Sequence, residues 1–374
     1  MKKFITLLIM VLGAVLYAAP KRGVLESYSP ELITLKNANI SISIAPDALG
    51  RVVSFKLNKS NAEMLNPTKI TRIWLSPLHE IRGDNFQGIR ELLWRGKVNG
   101  SVPMQVTAKK DDSITVYSKA YGATCFEVTR SITLLPDGFG FIWKTKFTNH
   151  SRQSEKCDLW YNFQGVEPAL ARIPVAGGTN PVRGKGRATF PRDFMFTKGH
   201  GEHFLPPGAD YAAFVETKQD AVWAVLFPPT ELKPDGLFYS WGNRSANSIR
   251  TMEPVLKSRN LKSGESFESQ MTMLIFPGLK DFSGMVGLTG FEFKPNGKKS
   301  VLRLVNAVAR PAETLEVELN GKNGSKKFTF PLPVRKAGTL SELTVDFDQL
   351  PETGIAKLGN ESGKLFFPLN QPQQ

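Results

Sequence analysis

Between Cys125 and Gln164 three strand patterns follow one another with almost no interruption, and few folds can absorb such a tract. Phe126, Val128, Ile132 and Leu134 share one face, broken only by Arg130, while Glu127, Thr129, Ser131 and Thr133 take the other. A period of two residues is that of a half-buried strand. Pro136-Asp137-Gly138 then reverses the chain, and a second run sets Phe139, Phe141, Trp143 and Phe147 against Lys144, Lys146 and Thr148. Asn149-His150-Ser151 ends it, and Cys157-Asp158-Leu159-Trp160-Tyr161-Asn162-Phe163 supplies the third strand. An antiparallel meander with one oily face and one polar, aromatic-dotted face predicts a large open sheet whose free side holds a polar ligand.

The same vocabulary of short strands and Gly or Pro corners runs from Leu32 to about Leu279, without a long helical period, and predicts one large β domain over residues 32–280. Residues 176–208 differ. They are rich in Gly and Pro, carry Arg183, Lys185, Arg187, Arg192 and Lys198, and read as a long basic loop suited to a lid or a mobile surface excursion. Gly284, Gly287 and Gly290 mark a linker, beyond which short strands and the turns Asn320-Gly321 and Asn323-Gly324 fit a small immunoglobulin-like β-sandwich over residues 290–369. The fold class expected is therefore all-β, a large antiparallel super-sandwich followed by a small one. At 374 residues the chain is long enough for both without covalent staples.

The large domain resembles the galactose mutarotase-like superfamily. The strand, tight turn, strand and Asn-containing corner of residues 125–164 follow that family's order, and so does an opening hairpin of Ile40, Ile42 and Ile44, Pro46-Asp47-Ala48-Leu49-Gly50 and Arg51-Val52-Val53-Ser54-Phe55. Gly88-Ile89-Arg90-Glu91-Leu92-Leu93-Trp94 is similar to the stretch that places an aromatic and polar groups at the family's cleft. Ile249-Arg250-Thr251-Met252-Glu253-Pro254, followed by a strand from Phe267 to Phe276, looks like its closing signature. The resemblance implies a carbohydrate ligand. In the epimerases of the family the Glu at the position of Glu253 is the catalytic base, and a His on the strand matching Leu159–Phe163 is the acid; that stretch holds no His here. The pairing of the large sandwich with a small β domain is similar in outline to the periplasmic glucan biosynthesis proteins.

Anomeric epimerisation needs a base and an acid facing each other across the sugar. Glu253 is the candidate base, and His200 and His203, which bracket Gly201-Glu202, are the candidate acids if the basic segment closes over the ligand. As a metal site that pair lacks a third ligand, so no metal and no other cofactor is expected. The candidates for binding are Trp94 with Arg95, Trp160 with Asn162, and Trp241 with Asn243 and Arg244, each an aromatic face beside hydrogen-bonding groups. Trp143 and Trp223 lie in dense apolar runs and read as core. Three readings stay open: a carbohydrate binder, a sugar epimerase or other carbohydrate-active enzyme, and an envelope structural protein.

Met1-Lys2-Lys3, an apolar run from Phe4 to Tyr17 and Ala18-Ala19-Pro20 read as a secretory signal peptide over residues 1–19, so a periplasmic or secreted protein without a stable membrane span is expected. The formal net charge of +14, two units of which lie in the leader, reads either as a solvated basic surface that serves solubility or as a preference for anionic partners, among which acidic or sulfated glycans suit an exported chain. Nucleic-acid motifs, phosphate loops, dinucleotide fingerprints and nucleophile triads are absent. Cys125 and Cys157 are the only cysteines; placed on the first and third strands of a meander they would lie about 9.5 Å apart, beyond disulfide reach, while a bulge or a different strand order would let them pair, so the pairing stays open.

Overall fold

The computed structural model describes residues 25–27, 31–65, 71–76, 79–82, 88–93, 103–119, 125–166, 170–174, 178–182, 186–190, 195–196, 201–216, 218–241, 250–296 and 299–367. The expected leader, residues 1–19, lies outside them. They form antiparallel strands and two short 3-10 turns, and among them no helix is long and apolar enough to cross a membrane.

Two large sheets make the first unit. The nine-stranded sheet runs Met195–Phe196, Leu170–Pro174, Tyr211–Glu216, Ala221–Leu226, Ser266–Pro277, Gly140–Asn149, Phe126–Leu134, Ser113–Ser118 and Gln105–Lys109. The seven-stranded sheet runs Gly186–Phe190, Gly178–Val182, Gly201–Leu205, Leu232–Trp241, Arg250–Leu256, Leu159–Gln164 and Arg90–Leu93. One core joins them: Ile132, Phe141, Trp143 and Phe147 from the first pack with Leu159, Tyr161, Phe163 and Met252 from the second. The predicted opening hairpin forms, as strands Ile40–Ala45 and Arg51–Leu57 around the turn Pro46–Ala48. It seals the same core, with the Phe55 and Phe141 rings edge to face at 5.0 Å.

The strand Phe126–Leu134 alternates strictly between buried and half-buried residues, as its period requires. Arg130 nevertheless points into the core, fully buried. Glu91, also fully buried, makes an ion pair with it, and Thr145, opposite Arg130 in the register, donates to Glu91 Oε1 at 2.7 Å. The Arg130 guanidinium lies 4.6 Å over the Trp143 ring, whose Nε1 donates to Thr145. Glu91 belongs to the Gly88–Trp94 segment read as a cleft element; its carboxylate instead neutralises the one cation in the apolar face, because a buried charge needs a partner.

Four expectations are corrected. The three-strand meander does not continue: Gly140–Asn149 takes Ser266–Pro277 as its second neighbour, and Leu159–Gln164 crosses to the seven-stranded sheet. With both neighbours of the second strand already taken, the third can be satisfied only elsewhere. Cys125 and Cys157 are both free and touch the same core, although the spacing argument assumed a common sheet. Residues 176–208 are not one long loop, since they contribute Gly178–Val182, Gly186–Phe190, Met195–Phe196 and Gly201–Leu205 to the sheets. The first two form a hairpin at the sheet edge, where Gly and Pro are tolerated. The Gly284–Gly290 stretch, read as a linker, is the strand Gly284–Val286 and its hairpin into Thr289–Asn296.

The C-terminal strands join in the order Gly324–Leu332, Glu313–Gly321, Thr353–Leu358, Glu361–Phe366, Gly284–Val286, Thr289–Asn296, Lys299–Asn306 and Leu340–Val345. Its two four-stranded halves meet through the pair Gly284 and Leu365 and close on one core containing Phe291, Leu302, Val317, Leu319 and Phe347. This is a small antiparallel sandwich; an immunoglobulin-like topology is not confirmed by this strand order. The unit is fixed to the first by a second apolar cluster, in which Val222, Ala224 and Phe276 meet Phe282, Met285, Val305 and Phe366. That explains why Tyr211–Glu216 and most of Ala221–Leu226 are buried without alternation: both faces of those strands are covered.

Candidate functional site

Leu159–Gln164 and Arg250–Leu256 are adjacent strands whose register pairs Trp160 with Val255, Phe163 with Met252 and Gln164 with Thr251. Their apolar residues Leu159, Tyr161, Phe163, Met252 and Leu256 lie in the core. Side chains two apart share a face, so Trp160, Asn162 and Gln164 stand beside Val255, Glu253 and Thr251 on the opposite face. The ladder is interrupted beside Glu253: Pro254 has no N–H to give, and the neighbouring strand shifts register between Leu232 and Leu237.

Four polar side chains form the centre of this face. Asn162 Nδ2 donates to Glu253 Oε1 at 2.7 Å, and Gln164 and Thr251 follow one step along the strands. All four are at least 98% buried. Asn162 Oδ1, Gln164 Oε1 and Thr251 Oγ1 have no hydrogen-bond partner among the described residues. A buried polar group in that condition costs roughly 1–3 kcal/mol, and three side by side are a concentration that folding alone does not reward. Chemically the patch is a row of acceptors with one carboxylate, bordered by the half-buried Trp160. It suits a ligand with several hydroxyl donors and an apolar face for the indole.

The floor beneath it is buried. Tyr161 OH hydrogen-bonds Ser269 Oγ across the sandwich at 2.9 Å, and burial, reinforced by the Glu91 carboxylate, holds the phenol protonated well above its usual range. On the far side of Asn162 the register continues to Arg90.

Among the predicted site residues the structure thus brings Glu253, Asn162 and Trp160 together. Trp94, Arg95, Asn243, Arg244 and His200 lie outside the described residues. The backbone of His203 pairs with Tyr239, which pairs with Met252, putting it two strands away, about 9.6 Å. Trp241 pairs with His203's strand at Gly201 and with Arg250. His150 lies on the surface against Glu127 at 2.8 Å. Trp143 and Trp223 are fully buried core residues, as expected. Gln164 and Thr251 were missed, although each is two residues from a named candidate on the same strand, which is the signal that would have found them. Among the described residues no three His, Cys, Asp or Glu side chains gather as a metal site.

No protein-family model and no curated protein sequence matches this chain. Solved structures do. A galactose mutarotase related enzyme from Lactobacillus acidophilus aligns with a TM-score of 0.50 at 11% identity, over 67% of this chain and 99% of its own. A galactose mutarotase-like protein from Lactobacillus casei aligns with a TM-score of 0.46 at 14% identity, over 66% of this chain and 100% of its own. One from Clostridium acetobutylicum aligns with a TM-score of 0.43 at 14% identity, over 68% and 98%. The first of these, with the sheet order above, shows that the large unit has a mutarotase-like sandwich fold.

Proposed function

We propose that this is an exported carbohydrate-binding protein whose large sandwich takes a sugar on the polar patch of Asn162, Gln164, Thr251 and Glu253, with Trp160 against the ring. The observation that carries this is the set of three buried oxygens without partners among the described residues, beside a buried carboxylate. Sugar hydroxyls would satisfy them, and the mutarotase-like fold supports the reading. The basic surplus would draw acidic or sulfated glycans to the surface, while the patch itself, whose one charge is negative, favours neutral hydroxyls at the point of contact. Export rests on the leader-like residues 1–19 alone.

A glycan array on the mature protein tests it. Binding that falls in Asn162→Ala and Trp160→Ala supports the proposal, and no binding to any glycan, neutral or anionic, would sink it and favour an envelope scaffold. The buried carboxylate of Glu253 favours one second reading, an epimerase with Glu253 as base. An NMR assay of anomer exchange that responds to Glu253→Gln would establish it.

A further inference from the structure

A cavity of about 210 Å³ lies where the two units meet, lined by other strands than those that carry the Asn162 patch. Gly208, Ala209, Asp210, Tyr211 and Leu226 of the first unit line it, opposite Met285, Gly287, Ser362, Gly363 and Lys364 of the second. Tyr211 and Met285 are buried at its floor, and Asp210, Ser362 and Lys364 are exposed at its rim. Clefts between units are where ligand sites most often form, and this one is braced by the apolar cluster of Phe276, Phe282 and Met285.

The chemistry of the lining is mixed. The Tyr211 hydroxyl lies against the Met285 backbone, whose N–H it faces as an acceptor, and it sits so close to Gly284 that a Cβ there would come within 2.9 Å of it. Its own O–H remains to be given to a ligand. Asp210 offers acceptors, Lys364 donors and Ser362 both, while Leu226 and Met285 supply apolar surface. The two opposite charges disfavour a ligand of either net sign. We propose that this cavity is a second carbohydrate site, taking one small neutral polyhydroxy molecule of monosaccharide size with its hydroxyls on Asp210, Tyr211, Ser362 and Lys364 and a C–H face on Leu226 and Met285. The volume, below the usual range of ~300–1,000 Å³ for drug-sized ligands, excludes an oligosaccharide from the cavity itself.

Methyl NMR on methionine-labelled protein separates this site from the first, because Met285 lines the cavity and Met252 lies between Thr251 and Glu253. D-Glucose, D-galactose and D-mannose serve as probes, with glycine as a zwitterionic control. The expected result is a saturable shift of the Met285 methyl with at least one sugar, retained in Glu253→Gln and weakened about tenfold or more in Tyr211→Phe and in Asp210→Ala. Both substitutions leave the seam packing in place. A Met285 methyl that no sugar moves, that responds equally in the cavity variants, that needs Glu253, or that answers glycine alone would overturn the proposal. Shifts confined to Met252 would leave the first site standing without the second, and shifts confined to Met285 the reverse.

Discussion

If the patch of Asn162, Gln164, Thr251 and Glu253 exists to bind, it should be unfavourable for folding, and removing its unpartnered oxygens should stabilise the protein. Thr251→Val keeps the shape of the side chain and deletes a fully buried hydroxyl that has no partner among the described residues. Gln164→Met is close in length and deletes a second. Each such group costs roughly 1–3 kcal/mol. The two sites face each other in the register, so they couple, and the double variant is expected to gain about 2 kcal/mol. For a unit of this size that is a rise in Tm of roughly 4–8 °C. The same variant should lose sugar affinity by at least about tenfold, since a site built around hydrogen bonds rejects whatever cannot make them. Thermal melts followed by circular dichroism, with titration calorimetry on the same samples, read both quantities. A fall in Tm, or unchanged sugar affinity beside a raised Tm, would refute the reasoning, because the oxygens would then serve the fold or serve nothing.

Three further outcomes follow from the packing. Arg130→Met leaves the Glu91 carboxylate buried without its cation and should cost about 3–5 kcal/mol by chemical denaturation, while adding Glu91→Gln, which still accepts from Thr145, should recover most of it. Phe276→Ala removes a ring stacked on Phe282 at 5.8 Å in the seam between the units. It should cost about 3–5 kcal/mol, with both units melting in one calorimetric transition in the parent protein; two separate transitions there would contradict a fixed seam. Burial, with Asp158 adding to it, pushes the Cys157 thiol up to about 12, whereas an unfolded thiol ionises near 8.5. The folded state thus holds its proton longer, so this contribution to stability is intact below about pH 8.5 and is lost as pH rises toward 12. At neutral pH an alkylating reagent should label the half-buried Cys125 and spare Cys157; equal labelling would contradict the burial.

The strand periods were legible because each is a local property. Alternation in Phe126–Leu134 and Gly140–Asn149 follows from a backbone whose side chains point to opposite faces, whatever lies around it. The sequence alone therefore determined the all-β class, the opening hairpin, the core roles of Trp143 and Trp223, and the candidates Asn162 and Trp160, while Glu253 came from the resemblance to the mutarotase-like superfamily. It could not tell which strand pairs with which, since a strand edge carries the same N–H and C=O groups for any partner. Only the tertiary structure moved Leu159–Gln164 into the second sheet and set it beside Arg250–Leu256, so that Asn162 meets Glu253 from 91 residues away. The same pairing decided that Gln164 and Thr251 belong to the patch, that Glu91 answers Arg130 in the core, and that a cavity opens between the units. These are long-range contacts, fixed by the burial of whole faces against one another, and no window of sequence contains both halves of any of them.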